Sequence, residues 1–137
     1  MSPSALGPTV LRVGLGTVFV AHAIAKATVF TFAGTARYFE AVGFPSFTVY
    51  PVFALELLGG LALVAGFRTR IAALALVPVM LGALRPHLGN GWMFTGAGGG
   101  WEYPAFLLLA LVAQALVGSG AYALDRLSLR TPAPVEA

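Results

Sequence analysis

The sequence contains no cysteine among its 137 residues. Disulfide staples, thiol nucleophiles and thiolate metal sites are therefore excluded, and cysteine usage leaves the redox compartment undetermined. Charge is also scarce. Asp, Glu, Lys and Arg make up 9% of the chain, against about 25% in an ordinary soluble domain. Eight basic and five acidic side chains cannot cover the surface of a soluble globule of this size, so an ordinary cytosolic domain is excluded. Disorder is excluded by the 58% of hydrophobic residues, because disordered chains are poor in apolar side chains. The net charge of +3 comes from scattered residues with no basic run, so nucleic acid is not an expected partner. No Ser-His-Asp set, P-loop or dinucleotide fingerprint occurs. Gly14-Leu15-Gly16 supplies two glycines of the last, but inside an apolar helix, where they signify nothing of the kind.

What the chain does have is long apolar runs, with a mean hydropathy of +0.87. A spanning helix needs roughly 20 such residues. One run covers 13–36, interrupted by His22 and Lys26, and a second covers 47–67 with Glu56 as its one charge. The third, 71–84, is short and holds Pro78, so it must tilt, kink or borrow flanking residues. The fourth runs 103–124, its regular part ending near Gly118-Ser119-Gly120. These runs predict helices over about 10–33, 47–67, 69–85 and 103–120, with a frayed tail at 125–137. The fold class expected is all-α: an integral membrane four-helix bundle, one transmembrane domain over 1–137, multi-pass in the cell membrane with the lipid bilayer as its surroundings. Gly14, Gly16, Gly59, Gly60, Ala72, Ala73 and Ala75 are small residues where helices could approach closely in lipid. Arg12, the run 13–20 and Ala21-His22-Ala23 mimic a signal peptide, but the apolar pattern continues to Phe32.

Orientation is read from Lys and Arg near the helix ends. Arg12, Arg68, Arg70, Arg126 and Arg130 fall on one side, and Lys26, Arg37 and Arg85 fall towards the other. The richer side is expected to be cytoplasmic, which gives N-in and C-in. A charge near the bilayer centre costs about 2.5 to 3.5 kcal/mol, so charges at depth need a reason. With a rise of ~1.5 Å per residue, His22 lies about 15 Å from the inner end of its helix and Glu56 about 14 Å from the outer end of its own. Lys26 sits one turn above His22 on the same face, with a stem long enough to snorkel outward. Two readings stay open for His22, Lys26 and Glu56. They form a polar cluster that holds a headgroup or relays a proton, or they form a structural ion pair between helices.

A second constellation is the outer loop. It contains Arg85-Pro86-His87, Gly89-Asn90-Gly91-Trp92 and the stretch Gly96-Ala97-Gly98-Gly99-Gly100-Trp101-Glu102-Tyr103-Pro104. Trp92, Trp101 and Tyr103 suit an interfacial aromatic belt. Glu102 before Pro104 suits the start of a helix. The belt does not account for the glycine density or for His87. His22, His87, Glu56 and Glu102 are eligible metal ligands, but no two share a metal-binding spacing, and no metal is expected.

Taken together these residues resemble the DoxX family of small four-helix bacterial membrane proteins. LRVGLGTVFVAHAIAKA is similar to the family's opening LRLGLGxxFxxHGxxKL: His22 and Lys26 match, while Ala23 and Ala27 replace Gly and Leu. The stretch from Glu56 through Arg70 follows the pattern ELLGGxxLxxGxxTRxAAL. GGGWEYPAFLLLALVAQALVGSGAYALD resembles GGWEYPLLLL…GPGxYSLD, retaining Gly99, Trp101, Glu102, Tyr103, Pro104 and Asp125 but with Ser119 for Pro and Ala123 for Ser. The resemblance implies a membrane subunit or accessory of a redox system, either quinone-linked or responding to oxidative stress. It implies no cofactor of the chain's own, since nothing resembles a haem or flavin site. Electrons would pass through a bound quinone or an oxidoreductase partner subunit. In that reading His22, Lys26 and Glu56 supply polar contacts, and the outer-loop cluster of His87, Trp101, Glu102 and Tyr103 forms the mouth. The alternatives are a non-catalytic membrane assembly protein and a small carrier. The carrier would need a homo-oligomer, because one chain is thin for a pore and shows no inverted repeat.

Overall fold

The computed structural model describes residues 3–128. Among these residues there is no strand. The order is α1 (Pro3–Thr28), α2 (Phe32–Ala41), α3 (Val49–Ala65), α4 (Thr69–Leu84), α5 (Glu102–Val117) and α6 (Asp125–Ser128), with 3-10 turns at Ser46–Thr48 and Arg85–His87. Three stretches are long and apolar enough to cross a membrane: Pro3–Thr28, Ser46–Ala65 and Thr69–His87, while α5 is apolar but shorter. Pro78 leaves α4 one backbone donor short. The segment still reaches 19 residues because it takes in Thr69, Arg70 and the 3-10 turn Arg85–His87.

The first helix differs most from the expected 10–33. It begins earlier, at Pro3, and stops at Thr28. Hydropathy does not register the break, because the apolar run continues through it. The chain turns at Thr31, whose φ of 62° lies outside the helical region, and its side chain accepts a hydrogen bond from Gly34 N at 3.1 Å. That is an N-cap, and it starts a separate helix, α2. Phe32 packs edge-on against Phe53 with centroids 5.0 Å apart, which pins the start of α2 to α3. At the far end Gly43 at φ 89° lets Phe44 N bond Phe39 O at 2.8 Å and Gly43 N bond Glu40 O at 3.0 Å. This paired closure ends the helix without an orphaned last turn. The tail also departs from expectation where it starts, since Asp125–Ser128 is a helical turn. Arg130 and the rest of the expected frayed segment lie outside the described residues.

α1 packs on α3, α3 on α4, α4 on α5 and α5 back on α1. The core between them is Leu15, Phe19, Leu63, Leu76, Met80, Leu107 and Leu111 with small alanines. The outward faces remain apolar, as with Leu58, Ile71, Phe106, Leu109 and Leu116, which suits helices bathed in hydrocarbon rather than water. Since lipid tails are as apolar as leucine, helix association there depends on close packing and internal hydrogen bonds. Gly16 and Gly60 supply the close packing. A Cβ on Gly60 would fall 2.9 Å from Gly16 O, and one on Gly16 would fall 2.6 Å from Gly60 O. Gly14 meets nothing, and Gly59 faces Leu76 of α4 instead.

Arg12 supplies the hydrogen bonds. Grouped by sequence with the charges of the inner face, it is instead 1% exposed. Its Nη1 donates to Leu63 O at 2.7 Å and Val64 O at 2.6 Å in the last turn of α3, where Leu63 O also accepts from Gly66 N at 3.1 Å. Nε donates to Ser119 O at 3.1 Å, and Nη2 to Ala121 O and Tyr122 O at 3.3 Å each. The last carbonyls of a helix have no partner within it, and the planar guanidinium fork can serve several acceptors at once. The segment after α5 is tied back at further points. Ala121 N bonds Ala5 O and Thr9 Oγ1, and Leu124 N bonds Ala65 O. Asp125 then caps α4 from a distance, accepting from Arg68 N at 2.6 Å and Thr69 N at 3.0 Å. An acidic group there also complements the helix dipole.

Arg12→Met is expected to destabilise the protein by at least about 3 kcal/mol, because buried carbonyls lose their donor. The exposed Arg126→Gln should change stability little, and unfolding midpoints in mixed detergent micelles compare the two. Gly60→Ala should cost about 1 to 3 kcal/mol of stability through overpacking and lower the midpoint. Gly14→Ala, with open space around it, should leave the midpoint level or raise it.

Candidate functional site

Above the Gly16–Gly60 crossing the helices line an open-sided cavity of about 680 Å³. Its wall combines His22 and Lys26 from α1, Thr35 and Phe39 from α2, Glu56 from α3, Pro78, Val79 and Gly82 from α4, and His87 from the turn beyond. Four of the sequence-selected residues, His22, Lys26, Glu56 and His87, thus meet at one space although they lie on three separate segments.

Lys26 and Glu56 form an ion pair. Lys26 Nζ donates to Glu56 Oε1 at 2.9 Å and lies 2.8 Å from Oε2, with 15% and 6% of the two side chains exposed. Lys26 does not use its stem to snorkel outward. α1 and α3 run antiparallel, Arg12 meeting Leu63 and Gly16 meeting Gly60. Lys26 therefore stands well beyond the level of Glu56. Its stem turns back towards the start of its own helix, the direction helical side chains favour. Glu56 Oε2 is buried and makes no hydrogen bond, so the contact with the ammonium is electrostatic at that oxygen.

His22 Nδ1 lies 2.8 Å from Val18 O, and His87 Nδ1 lies 2.9 Å from Gly99 O and 3.2 Å from Gly98 O. A carbonyl only accepts, so each Nδ1 carries the proton, and in a neutral ring Nε2 is then an acceptor. The glycine density of the outer loop gains its explanation here. Gly98 and Gly99, at φ 77° and 73°, turn their carbonyls onto His87 and onto Asn90 Nδ2, which donates to both at 2.9 and 3.1 Å.

Trp101, Glu102 and Tyr103 of the outer-loop cluster do not line the cavity. Trp101 stacks edge-on with Trp92 at 4.6 Å, and Glu102 accepts from Phe94 N at 3.0 Å, so both fold the loop onto itself. Tyr103 touches the site indirectly, its ring 6.4 Å from that of His22. Of the basic residues assigned to the inner face, Arg12, Arg68, Arg70 and Arg126 gather at the opposite end of the helices from the cavity.

Sequence reasoning missed Thr35, which is 6% exposed, lines the cavity, and has an Oγ1 with no hydrogen-bond partner. The signal was present. Phe32, Thr35, Phe39 and Val42 recur at three- and four-residue spacing while Arg37 and Glu40 face away, the stripe of an amphipathic helix laid over something.

The DoxX family's sequence profile matches residues 7–96, a span that holds every polar residue of the cavity wall and stops before Trp101. Among the relatives of the chain is a Bacillus subtilis (strain 168) protein named "Putative oxidoreductase CatD", 32% identical over 126 residues, covering 88% of this chain and 85% of that one. Another is the Escherichia coli (strain K12) "Inner membrane protein YqjF", 37% identical over 132 residues, 89% of this chain and 92% of its own length. No solved structure matches. With a profile match over more than half its length and alignment to both relatives almost end to end, this chain is a membrane protein that belongs to the DoxX family.

Proposed function

We propose that this protein spans the membrane four times and serves as the ligand-binding membrane subunit or accessory of a redox system, holding a quinone-like lipophilic molecule in the cavity. The observation that carries this is the wall itself: an apolar envelope from four helices with an ion pair and two imidazoles set into it. A volume of about 680 Å³ falls within the roughly 300 to 1,000 Å³ of small-molecule sites, where a few polar groups orient an otherwise apolar ligand. A bound quinone would supply the two-electron chemistry that no side chain here provides, with electrons delivered by an oxidoreductase partner. The chain's part is to bind and orient the ring and to exchange protons at His22 Nε2 and His87 Nε2. The name of the Bacillus subtilis relative supports a redox setting.

Topology belongs to the same proposal. α5 completes the fourth span by drawing on the loop residues before it. The end bearing Arg12, Arg68, Arg70 and Arg126 faces the cytoplasm under the positive-inside rule, and the cavity then lies in the outer half of the bilayer. A fluorescent protein fused after Ala137 should fluoresce, and alkaline phosphatase at the same place should be inactive. The reverse pattern would invert the topology.

The alternative, a non-catalytic assembly protein, is favoured by one observation: Lys26 and Glu56 already satisfy much of each other's charge while joining α1 to α3. His22→Ala separates the two readings, since the hydrogen bond of His22 lies within its own helix turn and its contact with another helix is the ring of Tyr103, centroids 6.4 Å apart. Normal abundance with affinity for the reduced quinone lowered by about 3- to 10-fold, the worth of one ligand O–H donated to His22 Nε2, is expected from the binding reading. Loss of folded protein would favour assembly. The measurements are membrane abundance and the shift in melting temperature with a soluble short-tailed ubiquinone held in its reduced form.

A further inference from the structure

The polar groups of the cavity are unequal in kind. Lys26, its one permanent cation, is neutralised by Glu56 at 2.8 and 2.9 Å, so an anionic ligand would meet no net positive charge. Both imidazoles have committed their Nδ1 protons to backbone carbonyls. With the rings neutral, each offers only an acceptor at Nε2. Glu56 Oε2 is a buried acceptor that makes no hydrogen bond, and Thr35 Oγ1 is a buried hydroxyl without a partner. What the wall offers most of is acceptors, a carboxylate oxygen and two ring nitrogens, beside a Thr35 hydroxyl that can donate or accept. A quinone carbonyl also only accepts, whereas a hydroquinone presents two O–H donors to the same groups.

We propose that the site selects ligands by their hydroxyl donors, taking the reduced, hydroquinone form of an aromatic ring in preference to the oxidised quinone. This rests on the reading of the cavity as a quinone-type site and makes it more specific. Glu56 Oε2 accepts one ligand O–H, and Thr35 Oγ1, from the helix laid over the cavity, makes the second contact. Burying a polar oxygen without a hydrogen bond is unfavourable, so the unpartnered Thr35 Oγ1, and the Glu56 Oε2 that has only the Lys26 ammonium beside it at 2.8 Å, are explained if a ligand completes them. Thr35 does nothing for the protein's own hydrogen bonding, which gives the proposal a distinctive signature. Removing its hydroxyl should cost binding without costing the fold.

The test uses the full chain in detergent with three probes of one shape: trimethylhydroquinone held reduced, its dimethyl ether, and trimethylbenzoquinone. Equilibrium binding should show the hydroquinone about tenfold or more tighter than either of the others, a charge-assisted hydrogen bond being at stake. Thr35→Val should leave the melting temperature of the ligand-free protein level or raised while weakening hydroquinone binding several-fold. The double variant Lys26→Met with Glu56→Leu, apolar and uncharged, should lose most of the preference for the hydroquinone over its ether. Equal affinity for all three probes would overturn the donor preference and leave the quinone-site reading standing. Failure of all three to bind would overturn that reading and this inference together. A Thr35→Val protein that melts lower, or that binds hydroquinone as tightly as before, would overturn the role given to Thr35.

Discussion

Helices α1 and α3 cross where Gly16 and Gly60 bring backbone against backbone, with no room for a Cβ on either side. In a medium that gives apolar helices no reason to prefer one another over lipid, such an approach is the attraction. It also fixes the register of every residue along the two faces. On α1 the sequence Arg12, Gly16, Phe19, Ala23, Lys26 repeats at four and three residues, and α3 answers with Glu56, Gly60 and Leu63. Arg12 is thereby placed under the last carbonyls of α3, and Lys26 within reach of Glu56. The crossing acts as a fulcrum with a different polar arrangement on each side.

Those two arrangements serve different ends. At the end beyond Gly16, the Arg12 fork is filled by five carbonyls and the chain after α5 is stitched back to α1, α3 and α4. A bilayer offers no water to unpaired groups, so this end is closed by internal bonding, and its buried cation is structural. At the other end the polar groups are few and incompletely used. Lys26 and Glu56 hold each other, yet Glu56 Oε2 and Thr35 Oγ1 have no hydrogen bond. Both imidazoles keep one nitrogen uncommitted. The helices diverge over a cavity rather than over a packed core.

Two segments that are not spanning helices complete that cavity. α2 lies across it with Thr35 and Phe39 facing inward, held at one end by Phe32 against Phe53 and at the other by the Gly43 turn. The loop before α5 orients His87 through the carbonyls of Gly98 and Gly99, while Trp92, Trp101 and Glu102 fold the loop itself. Glycine at these positions allows backbone carbonyls to reach a side chain that ordinary residues would hold at a distance.

Composition and hydropathy determined that this is a helical membrane protein, because lipid tolerates little charge and the apolar runs have the length a bilayer demands. They also marked His22, Lys26, Glu56 and His87 as residues needing a reason, since polar groups at depth are costly wherever they sit. Motif order carried the family. Three things were settled only by tertiary structure. Arg12 looked like one more charge at a helix end, because nothing local distinguishes a solvated arginine from one that serves carbonyls fifty and a hundred residues away. The break at Thr31 was hidden by continuous hydropathy, as an apolar run measures affinity for lipid and not the direction of the chain. Thr35 looked ordinary because an unpaired hydroxyl is defined by what surrounds it, and its surroundings come from α1, α3 and α4.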